Sequence, residues 1–428
     1  MAPWIGQTRP MGISQMYETF RSVVRFRELE LDPVARRLSK IADVADYRAV
    51  AKRRLPGGVF DYIDGGAEDE RTLAHNADAF GGFEFRPRVL RDVSDVDPSV
   101  ELFGRPLTIP LVLSATGFTR IADSQGELAV ARAAAKAGLP YGLSTMGTRS
   151  IEEVAEVAAA SGLDPDQWFQ VYVWKDKELV AEMLERAAAS RYSTITITVD
   201  TAQLGRRERD VRRGFSLPPK IGLETIVDGA LHPGWTLDFI TAEPIQFANI
   251  TGKSVGDGSD PVSLSAYVNA QFDPALSWDQ VGWFRERWPG NVVLKGVQTV
   301  EDAVLAVEHG VDGIMLSNHG GRQLDDAPAP IELLGPVVEA LGPRGDRSVE
   351  VMVDGGVRRG SDIVKAMALG ASACCIGRPY LYALGAAGER GVDHLLDFFD
   401  TGVRRTMSLV GARSVDELVP EMVRRSGR

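Results

Sequence analysis

From about residue 107 onward the chain alternates between two patterns. Short apolar runs rich in Val, Ile and Thr are each followed by a longer amphipathic stretch rich in Ala, Glu and Arg. The first pattern suits a strand buried on both faces, the second a helix with one apolar side. Strands are expected at Leu107–Ala115, Pro140–Thr145, Trp168–Val173, Thr194–Val199, Val292–Gly296, Gly313–Ser317, Glu350–Asp354 and Ala373–Ile376. Helices are expected at about 124–138, 150–161, 176–190, 277–288, 299–310, 330–342, 360–370 and 380–388. Eight alternating units in about 280 residues imply parallel strands closed into a TIM (β/α)8 barrel, an α/β fold.

The rest of the chain departs from this rhythm. Residues 1–42 read as a weakly structured tail. Residues 43–106 read as an N-terminal helical extension capping the barrel, broken at Pro56-Gly57-Gly58 and Gly65-Gly66. Within the barrel region, 107–428, the connection after the fourth strand is too long for a compact turn. It carries an insert at about 214–276, apolar in its first half (Trp235, Phe239, Ile240, Ile245, Phe247) and rich in Gly, Ser and Asp in its second, which reads as flexible.

Composition narrows the field only a little. A net charge of −11 does not suggest a nucleic-acid partner. The two cysteines, Cys374 and Cys375, are adjacent in an apolar run, so buried strand residues in a reducing compartment are expected, with no metal site. No apolar stretch approaches the ~20 residues of a spanning helix, and the N-terminus lacks a signal core, so a cytoplasmic location is expected.

The barrel reading locates the chemistry, because active sites of this fold lie at the C-terminal strand ends. Each expected strand there delivers polar or small residues. In order these are Ser114 to Gly117, including Ala115 and Thr116; Ser144 and Thr145; Gln170 and Tyr172; Thr198 and Asp200, with Arg206 and Arg207 soon after; Lys295; Ser317 to Arg322; Asp354 to Arg358; and Gly377-Arg378. Gly355, Gly356 and Gly377 let backbone N–H groups approach an anion, Arg358 and Arg378 add cationic donors, and Ser361-Asp362 opens a helix. That is a phosphate cradle after the last two strands. Ser144, Gln170 and Thr198 could meet the pyrimidine edge of a flavin, and Lys295 could tune its charge. His319 and Arg322 pair a general base with a carboxylate-binding guanidinium. The other four histidines, His75, His232, His309 and His394, fall on helices or in the insert, where a structural role is expected. A phosphate-gripping barrel without flavin remains an alternative at this point.

The segments "SNHGGRQLD", "DGGVRRGSD", "IGRPYLY", "TVDTAQLGRRERD", "FQVYVW" and "FDYIDGGAEDE" together resemble the FMN-dependent 2-hydroxy acid dehydrogenase and oxidase family, over about residues 43–420. The resemblance implies bound FMN and oxidation of a small L-2-hydroxy acid to the 2-keto acid, with L-lactate the first candidate. It also implies electron transfer to quinone or another acceptor, and a homotetramer. His319 then matches the proton-abstracting base and Asp200 its partner. Arg207, Arg322 and Tyr62 match the carboxylate-binding set, and Tyr172 the group near the substrate hydroxyl. Ser144, Gln170, Thr198 and Lys295 match flavin-ring contacts, as do Ala115, Thr116, Gly117 and Ser317 along the rim. Asp354, Gly356, Arg358, Gly377 and Arg378 match ribityl and phosphate contacts.

Two positions depart from the oxidases of that family. Gly117 stands where they commonly have alanine, and Met146 where glycolate oxidase has tryptophan. Both favour a lactate-type dehydrogenase or a larger substrate. An oxygen-using oxidase, or a member acting on a peptide- or amine-derived substrate, is the alternative. The apolar half of the insert is read equally as a lid or as a peripheral membrane contact on the inner face of the cell membrane.

Overall fold

The computed structural model describes residues 13–23, 30–213, 222–250 and 270–427. The chain divides into two compact units, Met1–Lys40 and Ile41–Arg428. The first holds helices at Ile13–Val23 and Pro33–Leu38. The tail is therefore more helical than its mixed composition suggests. Its second helix has two strong local start signals: the Asp32 carboxylate accepts from Val34 N, and Pro33 opens the first turn.

The second unit is built on a closed barrel of eight parallel strands. They are β1 (Leu111–Leu113), β2 (Tyr141–Ser144), β3 (Gln167–Tyr172), β4 (Thr194–Thr198), β5 (Asn291–Val297), β6 (Gly313–Ser317), β7 (Glu350–Asp354) and β8 (Ala373–Ile376). β8 closes the barrel against β1. Three of the helices that follow the strands start at a side-chain cap. Ser150, Asp176 and Thr299 each accept from the amide three residues on, at 3.1, 3.0 and 3.1 Å.

The first strand is shorter than expected. Leu107 belongs instead to a hairpin, Val100–Leu102 with Arg105–Leu107, and Pro110 separates this from β1. Leu102 and Leu107 pack with Val112, Trp168, Val293, Met315, Met352, Ala373 and Cys375, with Phe103 against the cluster. The hairpin thus plugs the end of the barrel where the strands begin. An apolar run that served two elements could not be divided by periodicity alone. Cys374 and Cys375 are buried free thiols on β8.

The N-terminal extension forms helices at Val44–Arg54, Gly57–Asp64 and Arg71–Asp78, with breaks beside Pro56 and Gly65-Gly66. It also contains strand Phe83–Phe85, paired antiparallel with Val423–Arg425. A 22-residue helix, Glu389–Val410, was not expected. It has no strand of its own to announce it, yet buries Val392, Leu395, Leu396, Phe399, Val403, Met407 and Val410 at helical spacing.

The insert is not a plain loop. Its described part contains helices Leu223–Leu231 and Pro233–Thr241, preceded by Glu208–Arg213. Ser124 holds Asp238 at 2.7 Å through its hydroxyl, and Trp235 Nε1 donates to Ile121 O at 2.7 Å. Asp228 accepts from Gly57 N at 2.7 Å, capping helix Gly57–Asp64 from outside. The Gly/Ser/Asp-rich stretch expected to be flexible lies largely outside the described residues.

One ion cluster fixes the extension on the barrel. Asp64, 2% exposed, accepts from Arg48 Nη2 at 2.7 Å, Arg209 Nη1 at 2.8 Å and Tyr382 OH at 2.8 Å. Burial alone would raise its pKa, but the Arg48, Tyr382 and Arg209 hydrogen bonds outweigh it and hold the carboxyl down to about 2. A folded-state pKa below the unfolded value contributes stability above the unfolded pKa, lost as pH falls through about 2. The contribution at neutral pH is on the order of 2 kcal/mol. Asp64→Asn should lower the melting temperature at pH 7 and flatten its fall between about pH 4 and pH 2. Parallel melting curves for variant and wild type across that range would contradict this assignment.

Candidate active site

Strand register carries the polar residues to one rim. Ser144 lies beside Gln170, Tyr172 beside Thr198, Thr198 beside Lys295, and Ser317 beside Asp354. A cavity of about 450 Å³ opens there. Tyr62, Tyr172, Arg207, His319 and Arg322 line one part of it. Ala115, Thr116, Gly117, Ser144, Gln170 and Thr198 line another. Lys295, Asp354, Gly356, Arg358, Gly377 and Arg378 complete the polar wall. Asp200 and Ser317 stand behind this surface, hydrogen-bonded to His319 and Lys295 respectively.

His319 Nδ1 lies 3.1 Å from Asp200 Oδ1. A proton on Nδ1 satisfies that carboxylate and leaves Nε2 as the lone-pair nitrogen. Burial pulls the His319 pKa below the ordinary value, opposed by Asp200 and assisted by Lys295. The imidazole is therefore neutral at neutral pH and able to accept a proton. Burial works against ionised Asp200, but His319 and Lys295 outweigh it and hold its pKa low. His319 has φ +58°, a left-handed conformation that a side chain adopts at some cost. Gly296, at φ +108°, leaves room for Asp200: a Cβ there would sit 2.8 Å from the Asp200 Cβ.

Lys295 is buried at the centre of the rim. Its Nζ lies 3.0 Å from Ser317 Oγ and 3.0 Å from Asp354 Oδ2. Asp354 also accepts from Ser114 Oγ at 3.0 Å and Ser317 Oγ at 2.7 Å. Burial disfavours the lysine charge, but Asp354 and Asp200 more than restore it and raise its pKa. On the adjacent strands, Ser144 Oγ donates to Gln170 Oε1 at 2.9 Å, and Gln170 Nε2 donates to Thr198 Oγ1 at 2.8 Å. That row presents an alternating donor–acceptor edge.

The arginines divide by their partners. Arg378 donates to the carbonyls of Ile63, Gly320 and Gly65 at 3.1, 2.7 and 2.7 Å, so it ties the extension to the β6 loop as well as facing the cavity. Arg322 Nη1 donates to Tyr62 O at 2.7 Å and lies over the Tyr62 ring at 5.0 Å. Burial, then the charge of Arg207, pulls its pKa down to about 9. Arg207 Nε is buried without a hydrogen-bond partner among the described residues. Two adjacent guanidiniums with Asp210 as the carboxylate beside them keep a surplus positive charge and make a place for an anion. Burial pushes the Tyr172 hydroxyl up to about 12, so it stays a donor at neutral pH.

Gly355, Gly356 and Gly377 line the cavity, but one helix start is not open as expected. Asp362 accepts from the amides of Arg358 and Arg359, both at 2.9 Å, so the start of helix Gly360–Ala368 is closed by its own side chain. The open helix start in the cavity is Gly377-Arg378, heading Arg378–Ala387. At Gly356, φ +84°, an added Cβ would lie 1.8 Å from Asn76 O, so backbone alone fits between the helix and the cavity. Glycine backbone, a helix start and arginines suit a phosphate, and the rim row suits a flat heterocycle.

The comparisons agree with this geometry. Residues 51–425 match the family model described as FMN-dependent dehydrogenase. The chain belongs to that family. A Mycobacterium tuberculosis protein provisionally named L-lactate dehydrogenase is 43% identical over 401 residues, covering 94% of this chain and 93% of that one. The (S)-mandelate dehydrogenase of Pseudomonas putida is 40% identical over 385 residues, 90% of this chain and 94% of that one. The crystal structure of a monotopic membrane protein, (S)-mandelate dehydrogenase, superposes with TM-score 0.84 at 39% identity, covering 90% of this chain and all 100% of that one. This FMN-dependent dehydrogenase is an enzyme of 2-hydroxy acid oxidation.

Several residues of the FMN-dependent dehydrogenase site were not singled out from the sequence. Asn76 and Asn318 exchange side-chain hydrogen bonds at 2.8 and 2.7 Å, locking the Arg71–Asp78 helix to the β6 loop. Gln323 Nε2 donates to Asp200 O at 2.8 Å and Gln203 O at 2.9 Å. Asp325 accepts from Thr72 N at 2.8 Å. Their signal was available: Asn318, Gln323 and Asp325 are polar residues inside the segment that carries His319. Arg206 and Thr145 do not line the cavity; Arg206 is exposed and Thr145 donates to Gln170 O at 2.7 Å. His75, His232, His309 and His394 sit against Glu332, Asp228, Trp278 and Tyr47 respectively.

Gly117 and Met146 are one feature, not two. A Cβ at Gly117 would lie 3.0 Å from Met146 Cβ. Gly117→Ala should therefore destabilise the fold by about 1 kcal/mol, and that cost should largely vanish in a Met146→Gly background, which removes the Cβ it meets. A double-mutant cycle in urea unfolding measures the coupling; strictly additive effects would rule it out.

Proposed function

We propose that this enzyme oxidises an L-2-hydroxy acid to the 2-keto acid with His319 as base, and passes the electrons to a quinone or another acceptor. The observation that carries this reading is the His319–Asp200 pair facing Arg207 and Arg322 across one cavity. Arg207, Arg322 and Tyr62 would bind the substrate carboxylate, and Tyr172 would donate to the substrate oxygen. His319 Nε2 would take a substrate proton, and Asp200 would hold the resulting imidazolium. Bound FMN supplies the two-electron acceptor. Gly355, Gly356, Gly377, Arg358 and Arg378 would hold its phosphate and ribityl chain. Ser144, Gln170 and Thr198 would meet its ring edge, flanked by Ala115, Thr116 and Gly117. Lys295, fixed by Ser317 and Asp354, would keep a positive charge beside it.

Anaerobic bleaching of the flavin by L-2-hydroxy acids tests this. His319→Gln should retain FMN and lose bleaching. Asp200→Asn should slow it by about three orders of magnitude, since the tautomer is no longer fixed. In the wild type, the depressed His319 pKa keeps the base unprotonated, so the rate should hold as pH falls through the usual histidine range and decline only below it. Retained bleaching in His319→Gln would remove it from this role.

The insert supports a second element of the proposal, peripheral attachment to the inner face of the cell membrane. Ile226, Val227, Leu231, Leu237 and Ile240 are exposed on its two helices. No helix among the described residues is long and apolar enough to cross a membrane. Amphipathic helices of this kind lie in the lipid interface. Assembly as a homotetramer belongs to the same reading, on family resemblance. Replacing Ile226, Leu231 and Ile240 by Ser should abolish co-sedimentation with anionic vesicles and leave flavin content intact; undiminished co-sedimentation would exclude the insert as the anchor.

A further inference from the structure

The cavity has an apolar side that the acid–base chemistry does not use. Phe118 follows β1, Met146 follows β2, Leu204 follows β4, and Phe247 and Phe272 come from the flanks of the insert. These side chains are arranged around the carboxylate-binding groups. The Tyr62 ring, under the Arg322 guanidinium, meets Phe118 with centroids 6.5 Å apart, and Phe118 meets Phe247 at 5.3 Å. On the other flank Phe272 meets the Tyr172 ring edge-on at 5.3 Å. Phe118 is held in a left-handed conformation, φ +63°, with its N–H donating to Met146 O at 3.0 Å. Such a conformation in a bulky residue is unfavourable and persists where the surroundings impose it. Here it turns a ring toward Phe247 and Tyr62.

A 2-hydroxy acid held by its carboxylate between Arg207 and Arg322, with its hydroxyl at Tyr172 and His319, has one group left to place. That group is the substituent on C2. Apart from Asp210 beside the two arginines, the wall left for it is aromatic and aliphatic, and none of these five side chains is charged. A methyl group would leave most of this wall exposed to water. An aryl ring or a branched alkyl chain would cover it, and ring centroids 4.5–7 Å apart suit edge-to-face contact, as a general rule for aromatic pairs. A second carboxylate would be stripped of water without a partner there.

We infer that Phe247 and Phe272, together with Phe118 and Met146, form a side-chain subsite that selects 2-hydroxy acids bearing a bulky apolar or aromatic substituent over L-lactate. This rests on the carboxylate grip proposed above. The insert then does more than extend the surface: its two flanks supply the residues that read the substrate.

The test compares L-lactate, (S)-mandelate, L-3-phenyllactate and L-malate as anaerobic reductants of the holoenzyme. The efficiency of bleaching should be about tenfold or more higher for the two phenyl acids than for lactate, with malate lowest. Phe247→Ala and Phe272→Ala should each reduce the phenyl-to-lactate ratio several-fold, mainly through weaker binding. A readout independent of turnover is the thermal shift of the wild-type holoenzyme, which should be larger with benzoylformate than with pyruvate at equal concentration. Faster bleaching by lactate, equal thermal shifts, or an unchanged ratio in both variants would overturn the inference. If no 2-hydroxy acid bleaches the flavin, the dehydrogenase reading falls instead, and the thermal shifts still decide whether the subsite exists. The wild-type comparison needs no variant, so misfolding of an alanine variant does not blunt the test.

Discussion

The buried pair of Lys295 and Asp354 is the constraint around which the barrel mouth is organised. An ammonium and a carboxylate at the ends of β5 and β7 are expensive to bury, and each is tolerable only because the other is 3.0 Å away. Ser114 and Ser317 complete the carboxylate's hydrogen bonds from β1 and β6. Four strands are thereby held in one register at the rim, and the same charge biases Asp200 and His319. The remaining charge in the cavity is unbalanced. Arg207, Arg322, Arg358 and Arg378 line it, against the single further carboxylate of Asp210. A cavity with that surplus is built to be completed by anions, and the two clusters of arginines lie where a phosphate and a carboxylate are expected.

Much of this was legible in the chain. Alternating periodicity announced all eight strands, because buried parallel strands are short, apolar and β-branched, and β6, β7 and β8 fall where the pattern put them. The residues that line the cavity were legible for a topological reason: in a barrel, whatever follows an apolar run is at the same rim. What escaped was whatever depends on partners distant in sequence. The plug hairpin shared an apolar run with β1. Asp362 looked like part of an anion-binding helix start until its hydrogen bonds to Arg358 and Arg359 showed it closing that helix itself. Asn76, 242 residues from Asn318, had no local pattern to mark it.

The segment around His319 shows how closely chemistry and scaffolding are interleaved. His319 and Arg322 face the cavity, while Asn318, Gln323 and Asp325 face away and bind the extension and the β4 loop. The strained backbone at His319 is held by these flanking contacts. The basicity of the imidazole, depressed by burial and opposed by Asp200, is set in a loop whose other polar side chains are engaged in anchoring it.

The hydrogen bond from Gly57 N to Asp228 has a practical side. A protein engineer wishing to trim the insert, to obtain a better-behaved version for crystals or a biosensor, would also remove the cap from the helix that holds Tyr62 over the cavity. The trimmed protein would need a replacement acceptor designed at that helix start, for example a side-chain cap at position 56 in place of Pro56. In this chain the surface excursion and the catalytic chamber are one engineering unit.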